Sequence, residues 1–582
     1  MALGQTFSLG DVDWSLDPQS GRTAPPDFGP LLDYRDAQIA GNSRNTWELN
    51  RHQHLTTAAL AYAITGDERF ARFVRAQLES WLSQNPFPVG VNWSSPLELG
   101  LRLISWVWIA RFLAGSPERE ALFGARGSLW PAVYRQQWMI SHLHSVGSSA
   151  NNHLIGEMSG LFVSATEWPW FAESAQWARS AQRSMEEEGR RQFSPSGVNR
   201  EQAFGYHLFA TELLLLAALE GERARRPFSK DHYDRLRRAV TAAQAQVGPG
   251  GLLPTYGDYD DGVAVGHPGG ARQALGRIAA VAAKALGGIA CPSLDSPEVR
   301  LASALQLSGI RSAERDAPPT DVSARDAPPT DGPSGPAPRT RAFHDAGLYV
   351  MTSSFADEEV FVLADAGELG YLSICAHGHA DALSFTLAVG GEQLLVDPGT
   401  YAYHHDPDGR AYFRGTRAHN TMCIDGQDQS EPGGPFLWTT KARTTVYEWR
   451  ETDGGVSLSA SHDGYERLAA PVTHRRSLVL RGGRLTVDDE LTGMGEHEIE
   501  WRLHVAPQCD VRLGRRQCDI IGRRHRLSFE LDGALHWRTL VGVRQGGWYS
   551  HAFNQREPTT TLVGGGRLTL PVHVKHILQV DG

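Results

Sequence analysis

The chain has 582 residues, and its 56 Lys and Arg against 66 Asp and Glu give a net charge of −10. This length predicts two or three domains, and 41% hydrophobic with 21% charged residues excludes wholesale disorder. The acidic balance argues against nucleic-acid binding, and no apolar run is long enough to predict a membrane helix. No signal peptide is visible, so the chain reads as cytoplasmic as written, or as periplasmic or secreted if an export signal was removed. The five cysteines are odd in number and widely spaced, so they form neither a disulfide framework nor a paired zinc motif.

The first part of the chain, residues 1–310, has the apolar spacing of successive helices. An Ala/Leu-rich segment at 55–64 stops at Gly66, and Asp67 can cap the next helix. Residues 99–113 are apolar nearly all round, which predicts a helix buried on several sides. Further helices are predicted at 130–144, 152–164, 172–188, 202–219, 231–246 and 271–286. Many paired helices of similar length favour an α/α toroid or solenoid.

The composition changes after residue 310. The sequence RDAPPTD occurs at 315–321 and again at 325–331, so 311–340 is interpreted as a flexible linker or insertion. Residues 341–582 then carry short alternating or β-branched segments, and Gly482-Gly483 marks a hairpin. Gly564–Gly566 is interpreted as another turn. The predicted architecture is therefore a helical toroid followed by an antiparallel β-sandwich.

Histidine is locally enriched in the second half. Five of the 23 histidines fall in one short region, namely His377, His379, His404, His405 and His419. Of these, His379 ends the loop before one predicted strand, Asp397 ends the next strand, and His419 precedes a third. Two imidazoles and a carboxylate at neighbouring strand ends suit Zn²⁺, with Ca²⁺ as the less favoured ion. The alternative is a set of hydrogen-bonded or surface histidines.

The helical half contributes the segment GSSANNHLIGEMSGLF. Ser149 can cap the helix, Asn151 or Asn152 then lies near its first turn, and His153 and Glu157 share one face. Donors at a helix start can point at an anion. The alternative is a capping cluster with a surface ion pair.

Other residues carry weaker signals. Arg410, Arg414 and Arg417 run through the histidine-rich loop and would suit carboxylate or sulfate groups. Trp93 could stack on a sugar, although core packing is an equal interpretation. The segment GDYDDG, which contains Asp258 and Asp260, is interpreted as a loop whose aspartates satisfy turn backbone.

Taken together, several segments resemble the heparinase II/III-like polysaccharide lyases. In family order the chain carries WELNRHQH, NWSSPLELGLRLISW, NNHLIGE, EQAFGYH, GHADALSF, DPGTYAY and RAHNT. The resemblance implies an α/α toroid followed by an antiparallel β-sandwich. It also implies cleavage of an anionic uronic-acid polysaccharide by β-elimination, with heparan sulfate, chondroitin, hyaluronan, alginate or a bacterial exopolysaccharide as the candidate substrates.

The resemblance also implies roles for individual residues. Asn152, helped by His153, would neutralise the uronate carboxylate. Tyr206 would be the acid, and for one sugar epimer it would serve as the base too. His377 would be a base, with Tyr401 and Tyr403 as alternatives for the proton steps. His379, Asp397 and His419 would hold one structural Zn²⁺. The substrate-binding candidates from the matching motifs and the nearby loop are Trp93, Glu98, Gln202, Arg410, Arg414 and Arg417.

Two other functions remain open. One is a glycoside hydrolase that uses Glu98 with Asp258 or Asp260, and the other is a non-catalytic polysaccharide-binding protein. The sequence leaves open endo or exo action and whether the protein forms a homodimer.

Overall fold

A computed structural model gives the fold. It describes residues 10–265, 270–289 and 339–581. Apart from its last two residues, the predicted linker at 311–340 lies outside the described residues. No helix in these ranges is long and apolar enough to cross a membrane.

Helices fill the N-terminal region. In its described part, twelve α-helices follow one another: α1 Ala37–Ala40, α2 Ser43–Asn50, α3 Gln53–Thr65, α4 Glu68–Gln84, α5 Pro96–Phe112, α6 Pro117–Phe123, α7 Trp130–Leu143, α8 Asn152–Glu167, α9 Ser174–Gln192, α10 Phe204–Arg223, α11 Lys230–Ala245 and α12 Gly270–Leu286. A short hairpin precedes them, formed by β1 Leu16–Asp17 and β2 Arg22–Thr23.

The helices form two layers. Helices α5, α8 and α10 are buried along nearly their whole length, whereas α4, α9 and α11 bury only one face. Helices that are apolar all round must lie inside, and amphipathic ones cover them. Gly100 of α5 and Gly160 of α8 lie where these two helices touch, and a Cβ on Gly160 would come within 2.3 Å of the Gly100 Cα. This paired, two-layered arrangement is an α/α toroid.

The predicted helices are confirmed, with one error in a cap. Helix α3 ends at Gly66, whose φ of 69° suits glycine, and Asp67 caps α4 by accepting from the Arg69 amide. Helix α8 is capped by Asn151 and not by the predicted Ser149, because the Asn151 carboxamide accepts from the His153 amide at 3.1 Å.

Antiparallel strands fill the C-terminal region. After the hairpin above, the described strands are β3 Arg341–Phe343, β4 Leu348–Phe355, β5 Glu358–Asp365, β6 Phe385–Val389, β7 Glu392–Leu395, β8 Met422–Ile424, β9 Pro432–Gly434, β10 Leu437–Trp438, β11 Thr444–Thr452, β12 Gly455–His462, β13 Val472–Arg481, β14 Arg484–Gly493, β15 Glu496–His504, β16 Asp510–Leu513, β17 Gln517–Ile521, β18 Arg526–Glu530, β19 His536–Val541, β20 Trp548–Ala552, β21 Gln555–Pro558, β22 Thr560–Thr569 and β23 Val572–Asp581. One further helix, α13 Pro407–Arg414, lies in the histidine-rich loop and was not predicted.

The strands form a β-sandwich. Its sheets have the orders β11-β12-β13-β14-β23-β18-β17-β16, β19-β22-β15-β8 and β3-β4-β5-β6-β7. One continuous apolar core joins side chains from all three sheets. The Gly482-Gly483 hairpin is confirmed, since Arg481 pairs with Arg484.

The predicted turn at Gly564–Gly566 is wrong, because these glycines lie inside β22. The indole of Trp537 on the neighbouring strand packs over Gly564, and a Cβ there would lie 2.8 Å from it. Glycine inside a strand can mark the close approach of a neighbouring group, and the Trp537 ring is that group at Gly564.

Candidate active site

A cleft lies between the helical region and the β-sandwich. It is lined from the helical side by the start of α8 and by α5 and α10, and from the β side by the loops around residues 374–377 and 403–404. Its empty volume is about 1110 Å³. The cleft brings together six residues predicted from the sequence, namely Glu98, Asn152, His153, Tyr206, His377 and Tyr403.

Asn152 is held at the start of α8 by a single carboxylate. Glu201 accepts from the Asn152 backbone amide at 3.0 Å and from its Nδ2 at 2.9 Å. The Asn152 Oδ1 is buried and has no hydrogen-bond partner in the described part of the protein. Since Glu201 and Asn151 occupy the first two backbone amides of α8, an anion must be met by the side chains of Asn152 and His153. Burial lowers the pKa of His153 to about 4, so this imidazole is neutral at neutral pH.

Tyr206 contributes a buried hydroxyl to the cleft. It lies in the first turn of α10, and its hydroxyl forms a 2.7 Å hydrogen bond with that of Tyr403. Burial raises the pKa of Tyr206 well above its ordinary value, and the negative charges of Asp260 and Asp258 raise it further. A tyrosine base would need a lowered pKa, so the structure favours Tyr206 as a proton donor.

His377 faces Tyr206 across the cleft. The centroids of the two rings are 4.1 Å apart. The Nδ1 of His377 lies 3.0 Å from the Asp258 carboxylate, and its Nε2 lies 3.7 Å from Glu201, beyond hydrogen-bond distance. Asp258 also pairs with His379 and Arg410. The interpretation of Asp258 as a turn residue is therefore wrong, because its side chain is fully buried and meets side chains of the other region.

Three predicted metal ligands lie behind the cleft. One ligand atom from each of His379, Asp397 and His419 falls within 4.8 Å of the others, and all three residues are buried. His379 Nδ1 and His419 Nε2 have no hydrogen-bond partner within the described ranges. Unpartnered imidazole nitrogens beside a carboxylate fit a divalent cation with nitrogen preference such as Zn²⁺.

Three predicted residues lie outside the lining of the cleft. Trp93 is 1% exposed and packs against Trp81 and Phe87, so it belongs to the helical core and cannot stack on a sugar. Gln202 turns away to donate to the Ala346 carbonyl at 2.8 Å. Tyr401 instead packs against Phe413 on α13.

The three predicted arginines also have other partners. Arg410 is buried in its ion pair with Asp258, and Arg414 is buried over the Trp438 ring, 3.9 Å from the centroid. Arg417 pairs with Glu500 at 3.2 Å. Arg410 thus joins the β region to the helical region, whereas Arg414 and Arg417 hold loops of the β-sandwich. None of the three lines the cleft, so the interpretation that they bind substrate is corrected.

Sequence reasoning missed the arginines that do line the cleft, which are Arg35, Arg44 and Arg51. Arg44 bridges Glu48 and Asp260, and Arg51 forms a two-point pair with Glu98. Arg35 is exposed and has no ion pair in the described part of the chain. The segment WELNRHQH contains Arg51, but the spacing of residues within the segment could not show that this arginine pairs with Glu98 on another helix.

Comparison with known proteins agrees with this architecture. The N-terminal heparinase II/III model matches residues 4–264, and the model of the C-terminal heparinase II/III-like region matches residues 335–577. Together they cover most of the sequence, and the chain belongs to the heparinase II/III-like family.

The relatives match most of this chain but share little of its sequence. A heparin-sulfate lyase of Bacteroides stercoris is 20% identical over 554 residues, which are 91% of this chain and 74% of the relative. A heparin-sulfate lyase of Bacteroides thetaiotaomicron is 22% identical over 457 residues, which are 74% of this chain and 57% of the relative. The crystal structure of a heparinase III matches with a TM-score of 0.72 and 16% identity, covering 98% of this chain and 79% of that one. This likeness shows that the fold is the same.

Proposed function

We propose that this protein is a polysaccharide lyase that cleaves a uronic-acid polysaccharide of the glycosaminoglycan type by β-elimination. One observation carries the proposal. Three side chains from the two regions, the Asn152 carboxamide, the Tyr206 phenol and the His377 imidazole, line the same cleft. The names of the relatives, which are heparin-sulfate lyases, support the same reaction class.

The first requirement of the reaction is to neutralise the uronate carboxylate. The proton on C5 is weakly acidic while that carboxylate keeps its full negative charge. The Asn152 carboxamide and the neutral His153 lie where they can hydrogen-bond to it, and such donors stabilise the enolate-like intermediate. Glu201 holds Asn152 in place by accepting one hydrogen bond from its backbone amide and one from its Nδ2.

The second requirement is a base and an acid. His377 Nε2 takes the C5 proton, the C4–O4 bond breaks, a C4=C5 double bond forms, and Tyr206 donates its hydroxyl proton to the leaving O4. The proton on His377 then returns to the Tyr206 phenolate, directly or through water, and this restores both groups. The raised pKa of Tyr206 supports this division of roles, because it keeps the hydroxyl protonated at neutral pH.

A metal would serve the architecture of the cleft. His379, Asp397 and His419 would hold Zn²⁺, which would tie together three loops beneath the site. None of these three residues lines the cleft, and the proton steps need no metal-bound water. Elemental analysis of protein purified without added metal tests this, with one zinc per chain expected and none in the His379→Ala variant. Equal zinc contents in the wild type and in His379→Ala would show that zinc is not bound at these residues.

The hydrolase alternative lacks a suitable acid among the three carboxyls predicted for it. Glu98 is paired with Arg51 and Asp260 with Arg44, and these charges lower the pKa of both carboxyls despite burial. Asp258 is paired with Arg410 and two histidines, which hold its pKa well below the ordinary value. A glycoside hydrolase needs one protonated carboxyl at neutral pH, and each of these three is ionised.

A near-ultraviolet absorbance assay tests the proposal directly. The panel contains heparan sulfate, heparin, chondroitin sulfates, hyaluronan, alginate and a bacterial exopolysaccharide. Elimination conjugates the new double bond to the carboxylate, so absorbance rises with the preferred polymer. New reducing ends without an absorbance change would replace the lyase by a hydrolase. Tight binding without any new ends would replace it by a binding protein.

A further inference from the structure

One buried carboxylate connects the two functional centres described above. Asp258 lies in the loop after α11, and its side chain is fully buried among groups of the β-sandwich. We propose that Asp258 is a positioning residue that fixes both the proton-accepting nitrogen of His377 and the metal-facing nitrogen of His379. The inference rests on the proposed lyase function only for the role of His377.

The four acceptor positions of this carboxylate are all used. Oδ2 lies 3.0 Å from His377 Nδ1 and accepts from Arg410 Nη2 at 2.8 Å. Oδ1 lies 3.0 Å from His379 Nε2 and accepts from Arg410 Nη1. The Asp258 backbone amide also donates to the His377 carbonyl at 2.9 Å. Each oxygen therefore serves one imidazole, and the arginine fork prevents the carboxylate from rotating.

These contacts decide which nitrogen of each ring carries the proton. An ionised carboxylate only accepts hydrogen bonds, so His377 must carry its proton on Nδ1 and His379 on Nε2. The remaining nitrogens, His377 Nε2 and His379 Nδ1, are then free to accept. His377 Nε2 is the atom needed for the C5 proton. His379 Nδ1 is buried without a partner beside Asp397 and His419, as a metal ligand requires.

The arrangement also joins the two halves of the protein at the site. Asp258 belongs to the helical region, whereas His377, His379 and Arg410 belong to the β region. Asp258 thus connects the metal loop and the catalytic histidine to the toroid that carries Asn152 and Tyr206. A single substitution should therefore disturb metal affinity and turnover through two separate rings.

The test is the Asp258→Asn variant, compared with the wild type in zinc affinity, kcat and KM. Asparagine has nearly the same shape but must offer an amide to a histidine nitrogen or to Arg410. We expect zinc affinity to fall about 10- to 100-fold. With zinc restored at excess, kcat should remain at least about tenfold low while KM changes little, because the His377 ring is still held in the wrong state. The matched control is Asp261→Asn in the same loop, whose carboxylate accepts from the Phe553 backbone amide, and it should keep zinc and kcat.

Two results would overturn the proposal. Normal zinc affinity and normal kcat in Asp258→Asn would show that neither ring depends on this carboxylate. Full recovery of kcat on adding zinc would reduce Asp258 to a metal-site residue. If Asp258→Asn does not fold, as judged by circular dichroism, the Arg410→Lys variant tests the proposal instead. It removes the two-point contact of the guanidinium with Asp258 but keeps the carboxylate. It should lower both quantities in the same way, and wild-type values would refute the proposal. Zinc affinity is measured without substrate. A wild-type protein that is inactive on every polymer would therefore refute the lyase function, while the effect of Asp258→Asn on zinc affinity would still test the role of Asp258 at His379.

Discussion

The Tyr206→Phe substitution removes one hydroxyl and should separate catalysis from stability. Loss of a general acid costs about 10²- to 10⁴-fold in rate, which is about 3–5 kcal/mol of transition-state stabilisation. The structural loss is one hydrogen bond to Tyr403 at 2.7 Å, worth about 1 kcal/mol of the free energy of unfolding. The variant should therefore be folded and bind substrate with a similar KM, but have a kcat lower by at least about 100-fold.

The assay is initial-rate absorbance on the preferred polymer, together with a thermal unfolding curve. Tyr256→Phe is the matched control, because the hydroxyl of this half-buried tyrosine also makes one side-chain hydrogen bond, to Gln246 at 2.8 Å, and Tyr256 lies outside the lining of the cleft. The control should lose similar stability and keep its kcat. A Tyr206→Phe enzyme with near-normal kcat would refute the assignment of Tyr206 as the acid.

Three further predictions follow from burial and charge. Trp93→Ala should lower the free energy of unfolding by about 3–5 kcal/mol without raising KM, and a raised KM in a normally stable variant would contradict its place in the core. Arg35→Ala should raise KM about tenfold at unchanged melting temperature, since this exposed cation has no ion pair to lose; an unchanged KM would exclude Arg35 from substrate binding. Burial lowers the pKa of His207 and His232 to about 4, so between pH 6.5 and 4 the unfolded chain takes up protons that the folded chain does not. The free energy of unfolding should fall on acidification by about 2 kcal/mol per histidine at pH 5. The thermal midpoint should therefore fall as the pH is lowered, and it should fall less in the His207→Gln variant.

Much of the fold could be predicted because apolar spacing follows local geometry. The stop at Gly66, the cap at Asp67 and the hairpin at Gly482-Gly483 depend only on neighbouring residues. The glycines around Gly564 were misread because the Trp537 ring that requires them comes from another strand, 27 residues earlier in sequence. Such a contact leaves no local signal.

The same limit separates the predicted from the missed site residues. Tyr206 lies in EQAFGYH and His377 directly precedes GHADALSF, two segments that carry the family resemblance, and the structure places both residues in the cleft. Arg410 was predicted to bind substrate because a guanidinium in a loop can be free to bind an anion. In the structure it is paired with Asp258. Ion pairing between distant segments is decided by the folded arrangement, so the sequence could not show which arginines remain free.

The most direct test of the central claim is product mass after digestion in water labelled with heavy oxygen. Elimination breaks the glycosidic bond without adding solvent oxygen to the cleaved bond. We predict that the fragment with the new unsaturated end is one water lighter than the corresponding hydrolysis product, with no heavy oxygen incorporated at the cleaved bond. Saturated products carrying one heavy oxygen per cleavage, after correction for exchange at the reducing end, would contradict the account.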